Sequence, residues 1–177
     1  IVAGSCFEYG LSGERYDAIP TDAPLEPTNS YAVSKAAASI ALRQWAEEHQ
    51  LTLEILRVFH VFGEGESQGR FWPSLRRAAL AGEDFQMTAG EQIRDFLNVA
   101  DVASAFLDRA TAPSSHIPAA KIFNLSSGKP LTILAFAQCW WKLWEAKGQL
   151  LAGALPYRPG EVMRYVAGPN LIVVSRG

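Results

Sequence analysis

The chain has 177 residues, nearly half of them apolar, and a formal net charge of −2. That length suffices for one domain with a core, and the composition excludes a disordered chain or a bulk basic surface for nucleic acid. No apolar run approaches the ~20 residues of a membrane-spanning helix and no signal-peptide pattern is read, so a cytoplasmic protein is expected.

Residues 1–5 predict a short buried strand ending in a functional loop. Residues 6–28 carry Pro20, Pro24 and Pro27 and predict long irregular surface. Asn29 or Ser30 can cap a helix running to about residue 50. Its alanines, Ala36, Ala37, Ala38 and Ala41, favour helix and permit close packing. Residues 51–59 predict a strand, and Gly63, Gly65 and Gly69 mark a flexible loop. A helix is expected over 71–81, stopped by Gly82. An extended stretch follows at 94–99, then an amphipathic helix at 100–110 and a strand at 121–125. Thr132 caps a helix expected to reach Lys147, rich in Trp140, Trp141 and Trp144 and closed by Gly148. Residues 156–168 have no clear period, and 171–174 are strand-sized. Strands alternating with helices predict α/β architecture with parallel pairs. The less regular second half predicts a smaller α+β region beside the sheet.

Tyr31-Ala-Val-Ser-Lys35 places a Tyr and a Lys four residues apart on one helix face. A cation there can lower a phenol pKa from about 10 toward neutrality, as proton transfer near pH 7 requires. A Ser hydroxyl at the end of a neighbouring strand could share the proton with a substrate oxygen. That chemistry suits carbonyl–alcohol interconversion beside a nicotinamide. Cys6 and Cys139 have no metal spacing and are expected as free thiols in a reducing compartment. His49, His60 and His116 are scattered, so no metal site is expected.

Four segments occur in order: Gly4-Ser-Cys-Phe-Glu-Tyr-Gly10, Tyr31-Ala-Val-Ser-Lys35, Leu56-Arg-Val-Phe-His-Val-Phe-Gly63 and Ile93-Arg-Asp-Phe-Leu-Asn-Val-Ala-Asp-Val-Ala103. Together they resemble the extended short-chain dehydrogenase/reductase family, in its NAD-dependent epimerase/dehydratase branch acting on nucleotide sugars. A fifth, Tyr157-Arg-Pro-Gly-Glu-Val-Met-Arg164, resembles that branch's late Arg-Pro-Gly-Glu segment. The resemblance implies a doubly wound, Rossmann-like parallel sheet with a small C-terminal α+β substrate domain. The family's Gly-rich phosphate loop has no counterpart here. The Gly63-Glu-Gly-Glu cluster is read as not running from a strand into a helix. By analogy the chain lacks the first ~100 residues of two βαβαβ halves. Residues 1–63 would hold the catalytic half of the dinucleotide-binding domain. Residues 64–177 would be mainly the substrate-binding region, with 94–125 returning to the sheet.

The resemblance assigns roles residue by residue. Tyr31 is the expected general acid/base; alone it would read as an aromatic packing at a helix start. Lys35 is expected to bind the nicotinamide ribose and lower the Tyr31 pKa; otherwise it is a solvated helix lysine. Ser5 stands where the family has its Ser or Thr, or is a strand-end cap. Arg94 would hold the substrate diphosphate through its fork of donors, or form a salt bridge with Asp95 or Asp101. Arg158 would be a second diphosphate or ribose contact, or a solvated arginine. His60 replaces the family's Asn near the substrate phosphates and would make binding pH-sensitive, or is a satisfied buried histidine. Phe59 would touch the nicotinamide through its backbone. Gln86 and Thr88 fall where the family lines the nucleobase pocket. The three tryptophans are expected as core with one exposed ring.

Cys6 and Phe7 depart from the branch's sugar 4,6-dehydratases, which carry Asp-Glu there. Glu8 is one residue out of register, which on an extended backbone means the other face. Elimination is therefore disfavoured. An epimerase or 4-ketosugar reductase is expected, with NAD or NADP as cofactor, a nucleotide sugar as substrate and a homodimeric full-length enzyme; the isolated chain would be inactive. The alternatives are a reductase of a non-sugar carbonyl on the same fold, which the Arg94 and Arg158 pair argues against, or a non-catalytic remnant.

Overall fold

The computed structural model describes residues 1–112, 118–168 and 171–173; His116 and Val174 lie outside the described residues. The strands are β1 (Val2–Ser5), β2 (Leu53–Val58), β3 (His60–Phe62), β4 (Phe85–Met87), β5 (Ile93–Arg94), β6 (Phe96–Asn98), β7 (Ala120–Ser126), β8 (Leu131–Thr132), β9 (Leu150–Ala152), β10 (Arg164–Tyr165) and β11 (Leu171–Val173). The helices are α1 (Ser30–Glu48), α2 (Phe71–Ala81), α3 (Val99–Thr111) and α4 (Ile133–Leu143).

β1, β2, β7 and β11 form a parallel sheet in that order. β2 is buried on both faces, as parallel strands between helix layers must be. Successive side chains of a strand point to opposite faces. Leu53 and Ile55 accordingly pack with Ala46 of α1, and Leu56 packs with Ala105 of α3. The Asn29 side chain caps α1 by accepting from the Ala32 amide at 2.9 Å. Ala32, Ala36, Ser39 and Ala46 are the small buried positions of that helix.

The remaining strands are short. β3 pairs with β6, β4 with β9, and β5 lies between β10 and β8. Beside them α2 and α4 enclose a second core of Leu75, Met87 and Ala137 with Trp140, Trp141 and Trp144 packed against it. All three indoles are half-buried; none is the exposed ring expected from the sequence.

Three expectations need correction. Residues 6–28 are not irregular surface. They form 3₁₀ turns over Cys6–Glu8 and Leu11–Arg15 and bury Cys6, Tyr9, Ile19 and Ala23. Polar bonds hold this stretch to the sheet: Tyr9 Oη donates to Asn124 Oδ1 at 2.6 Å, and Asn124 Nδ2 donates to the Ile19 carbonyl at 2.8 Å. Gly10 makes the close approach possible. Its φ is +52°, and a Cβ there would lie 1.8 Å from the Glu26 carbonyl oxygen.

α4 stops at Leu143, short of Lys147, because Glu145 turns left-handed with φ +51°. Gly148 does not close the helix. It lies against the Glu83 backbone and accepts the Trp141 indole N–H at 3.0 Å.

Finally, the Gly63 cluster does follow a strand, β3, and does lead to a helix, α2. It still makes a poor phosphate cradle. Glu64 and Glu66 place carboxylates in the loop, paired with Arg76 and Arg70, and like charge opposes a pyrophosphate.

Candidate active site

β1 ends at Ser5, and the chain tightens at once into a 3₁₀ turn. Ser5 Oγ accepts from the Phe7 amide at 3.3 Å, and Glu8 accepts from the Ser5 amide at 2.8 Å. This reciprocal cap changes the geometry expected of an extended segment. Cys6 and Glu8 turn inward and are fully buried, while Phe7 turns outward at 41% exposure. Glu8 is then consumed by a buried ion pair, accepting from Arg57 Nε at 2.9 Å.

α1 runs beside β1. Its first turn presents Tyr31, half-exposed, with its ring edge-on to Phe7 at 6.5 Å between centroids. Lys35 reaches across and donates from Nζ to the Ala3 carbonyl at 2.8 Å. Ser5, Tyr31 and Lys35 thus gather at the C-terminal end of β1, although among the described residues no hydrogen bond joins one to another.

A cleft of about 390 Å³ opens beside this cluster. Phe7, His60, Tyr165, Arg94 and Arg158 line it, with the carboxylates of Glu14 and Glu161. Arg94 is 8% exposed, and burial lowers its pKa. Its guanidinium donates to the Ile93 and Val162 carbonyls and to Glu161 at 3.4 Å. Its ion partner is therefore Glu161, not Asp95 or Asp101. Asp95 instead accepts the Ser127 and Gly128 amides. Arg158 is exposed in the same cleft.

His60 borders the cleft, but its Nδ1 is enclosed and has no hydrogen-bond partner among the described residues. It is not the satisfied buried histidine of the sequence alternative. Burial, with the positive charges of Arg94 and Arg70, pushes its pKa down to about 3, so the ring is neutral at physiological pH. The rings of Phe7, Phe96 and Tyr165 surround it at 5.7, 6.4 and 6.3 Å.

Other expected residues fall elsewhere. The Phe59 side chain is core, and its amide donates to the Leu125 carbonyl at 3.0 Å. Gln86 is exposed on β4 opposite Leu151, and Thr88 accepts the Gly90 amide; neither lines the cleft. Tyr165 went unnoticed in the sequence. It closes the cleft floor, donating to the Cys6 carbonyl at 3.0 Å, and burial raises its phenol pKa. A two-residue strand inside an aperiodic stretch carries no signal that could have found it. Glu161 was legible only as part of the Arg-Pro-Gly-Glu segment.

Residues 1–126 match the model of the NAD dependent epimerase/dehydratase family. Over 138 residues the chain is 30% identical to the low-salt glycan biosynthesis protein Agl12 of Haloferax volcanii, covering 77% of this chain and 42% of that protein. It superposes on the UDP-N-acetylglucosamine 4-epimerase of Methanobrevibacter ruminantium, solved with UDP-N-acetylmuramic acid, with a TM-score of 0.81 at 25% identity, covering 94% of this chain and 53% of that one. MoeE5, solved with UDP-glucuronic acid and NAD, gives a TM-score of 0.80 at 25% identity, covering 99% and 59%. The chain spans under half the length of the curated relative and little more than half of the solved structures.

Proposed function

The chain belongs to the NAD-dependent epimerase/dehydratase family, and from that premise we propose that it carries the catalytic and substrate-holding part of an enzyme that moves hydride between NAD and a ring carbon of a nucleotide sugar. The reading is an epimerase or a 4-ketosugar reductase. One observation carries it: Arg94 and Arg158, far apart in sequence, line one cleft beside the Tyr31 cluster. Two guanidinium groups suit a diphosphate. Glu161 pairs with Arg94 inside the same cleft, a carboxylate that an incoming diphosphate has to displace.

Tyr31 Oη makes no hydrogen bond among the described residues, which leaves it to exchange a proton with the substrate hydroxyl. Ser5 Oγ accepts from Phe7 and keeps its own proton to donate. Lys35, held on the Ala3 carbonyl, supplies positive charge on the Tyr31 face of the helix. These residues fit the nicotinamide-ribose end of NAD; the glutamate-bearing Gly63 loop does not fit its pyrophosphate. NAD, when bound, supplies hydride acceptance and donation.

Elimination is disfavoured because Cys6 is buried, Phe7 is a hydrocarbon ring and Glu8 is bound to Arg57. The exposed Val33, Ile40 and Trp45 of α1 support a homodimer through that helix. The aromatic Phe7 face would also suit a non-sugar carbonyl, but a neutral substrate would leave the exposed Arg158 of the cleft without a role.

The test is product analysis by NMR after mixing the natural protein and NAD with nucleotide hexoses and nucleotide 4-ketosugars. An epimerised or 4-reduced sugar supports the reading. A 4-keto-6-deoxy product would assign a dehydratase instead.

A further inference from the structure

The cleft is chemically divided. Arg94, Arg158, Glu14 and Glu161 make part of its lining charged, whereas the side chain that faces both the cleft and Tyr31 is Phe7. The Phe7 ring is held on three sides. It lies edge-on to Tyr31, edge-on to His60 at 5.7 Å, and stacked on Tyr165 at 6.4 Å and 27°. Yet 41% of the residue remains open. Of the neighbours behind it, His60 has its Nδ1 enclosed and Tyr165 donates its hydroxyl to the Cys6 carbonyl. Next to the proposed acid/base, then, the cleft presents an apolar ring packed on three sides, with Thr28 and Asn29 as polar residues of the same lining.

We propose that Phe7 makes this site selective for a sugar that carries a methyl group where a common hexose carries a hydroxymethyl and a hexuronate a carboxylate, that is, a nucleotide-linked 6-deoxyhexose. The inference rests on the nucleotide-sugar reading above and deepens it. A methyl group packed on the open ring gains by leaving water. A hydroxyl pressed there loses its water without a replacement partner, and a carboxylate loses more. His60 and Tyr165 act as positioning residues, because they keep the Phe7 ring from turning aside.

The experiment measures binding of UDP- and dTDP-linked glucose, 6-deoxyglucose and glucuronate to the natural protein loaded with NAD, with UDP and dTDP alone as references. Within one nucleotide series, the 6-deoxyglucose conjugate is expected to bind about tenfold or more tighter than the glucose conjugate, the discrimination typical of a small group in an apolar pocket. Phe7→Thr should bring that ratio toward one, and Phe7→Leu, still apolar, should retain most of it. Far-UV circular dichroism verifies that both variants fold. Equal or stronger binding of the glucose or glucuronate conjugate, or a ratio unchanged by Phe7→Thr, overturns the proposal. If the nucleotides bind but the sugars are not distinguished, only the 6-deoxy inference falls. If neither nucleotides nor conjugates bind, the nucleotide-sugar reading falls with it.

Discussion

Lys35 Nζ donates to the carbonyl of Ala3 at 2.8 Å, fastening helix α1 to strand β1 one turn beyond Tyr31. The bond fixes which face of α1 meets the end of β1, the face on which Tyr31 lies edge-on to Phe7 of the cleft wall. Tyr31 itself is half-exposed, and among the described residues its side chain contributes a ring contact with Phe7 and no hydrogen bond. Chemistry and stability are therefore separable at this residue. Tyr31→Phe should lower kcat at least about 10²-fold, the lower end of general acid/base contributions. Its unfolding free energy should change by no more than about 0.5 kcal/mol, as for a surface substitution. Steady-state kinetics and denaturant unfolding on one preparation check both; a fully active Phe variant would remove Tyr31 from the mechanism.

The two arginines should part company. Arg94 is buried and bound to Val162, Ile93 and Glu161, so Arg94→Ala removes a structural anchor as well as an anion contact. Arg158 is exposed, so Arg158→Ala should cost affinity alone. Calorimetric titration with UDP and dTDP should show weakening in both variants, and thermal unfolding should drop only for Arg94→Ala. A stability loss in Arg158→Ala with unchanged affinity would contradict the cleft assignment.

Much of the scaffold was legible because its signals are local. Asn29 and Thr132 cap α1 and α4, and Gly82 ends α2 in the left-handed conformation. The Tyr31 and Lys35 spacing is a property of one helix. What was missed depends on distant partners. β3, β4, β8 and β9 have two or three residues each and exist only because another short strand lies alongside. The 6–28 stretch looked like surface because its prolines signal turns. Its burial comes from bonds to Asn124 in β7. Glu8 appeared displaced by strand alternation. The displacement is real, but its cause is a 3₁₀ turn and a counter-ion, Arg57, that no local pattern announces.

That ion pair makes a sharp stability prediction. Glu8 and Arg57 are 0% and 3% exposed at the side chain, so removing one partner strands a charge in a dry interior. Arg57→Met should destabilise the fold by about 3–5 kcal/mol. Adding Glu8→Leu should recover part of the loss, since a buried pair replaced by apolar groups is often tolerated. Urea unfolding of the single and double variants decides it. A double variant worse than the sum of the singles would mean that the pair's other bonds, to the Ser5 amide and the Thr21 carbonyl, matter more than its charge.

His60 should write itself into the acid limb of the stability profile. Burial lowers its pKa from 6.5 to about 3, with Arg94 and Arg70 adding repulsion. Between those values the unfolded chain binds a proton that the folded chain refuses, so stability rises with pH across the interval. The contribution is complete above about 6.5 and is lost as pH falls toward 3. His60→Phe removes the titrating group and keeps an aromatic ring among Phe7, Phe96 and Tyr165. Groups common to both proteins cancel in the difference of their profiles. Unfolding free energies measured across this range should therefore fall less steeply on acidification for His60→Phe than for the natural protein, by up to one proton in slope. Parallel profiles would mean that the imidazole protonates in the fold as readily as in water, and that the cleft wall it supports is not dry.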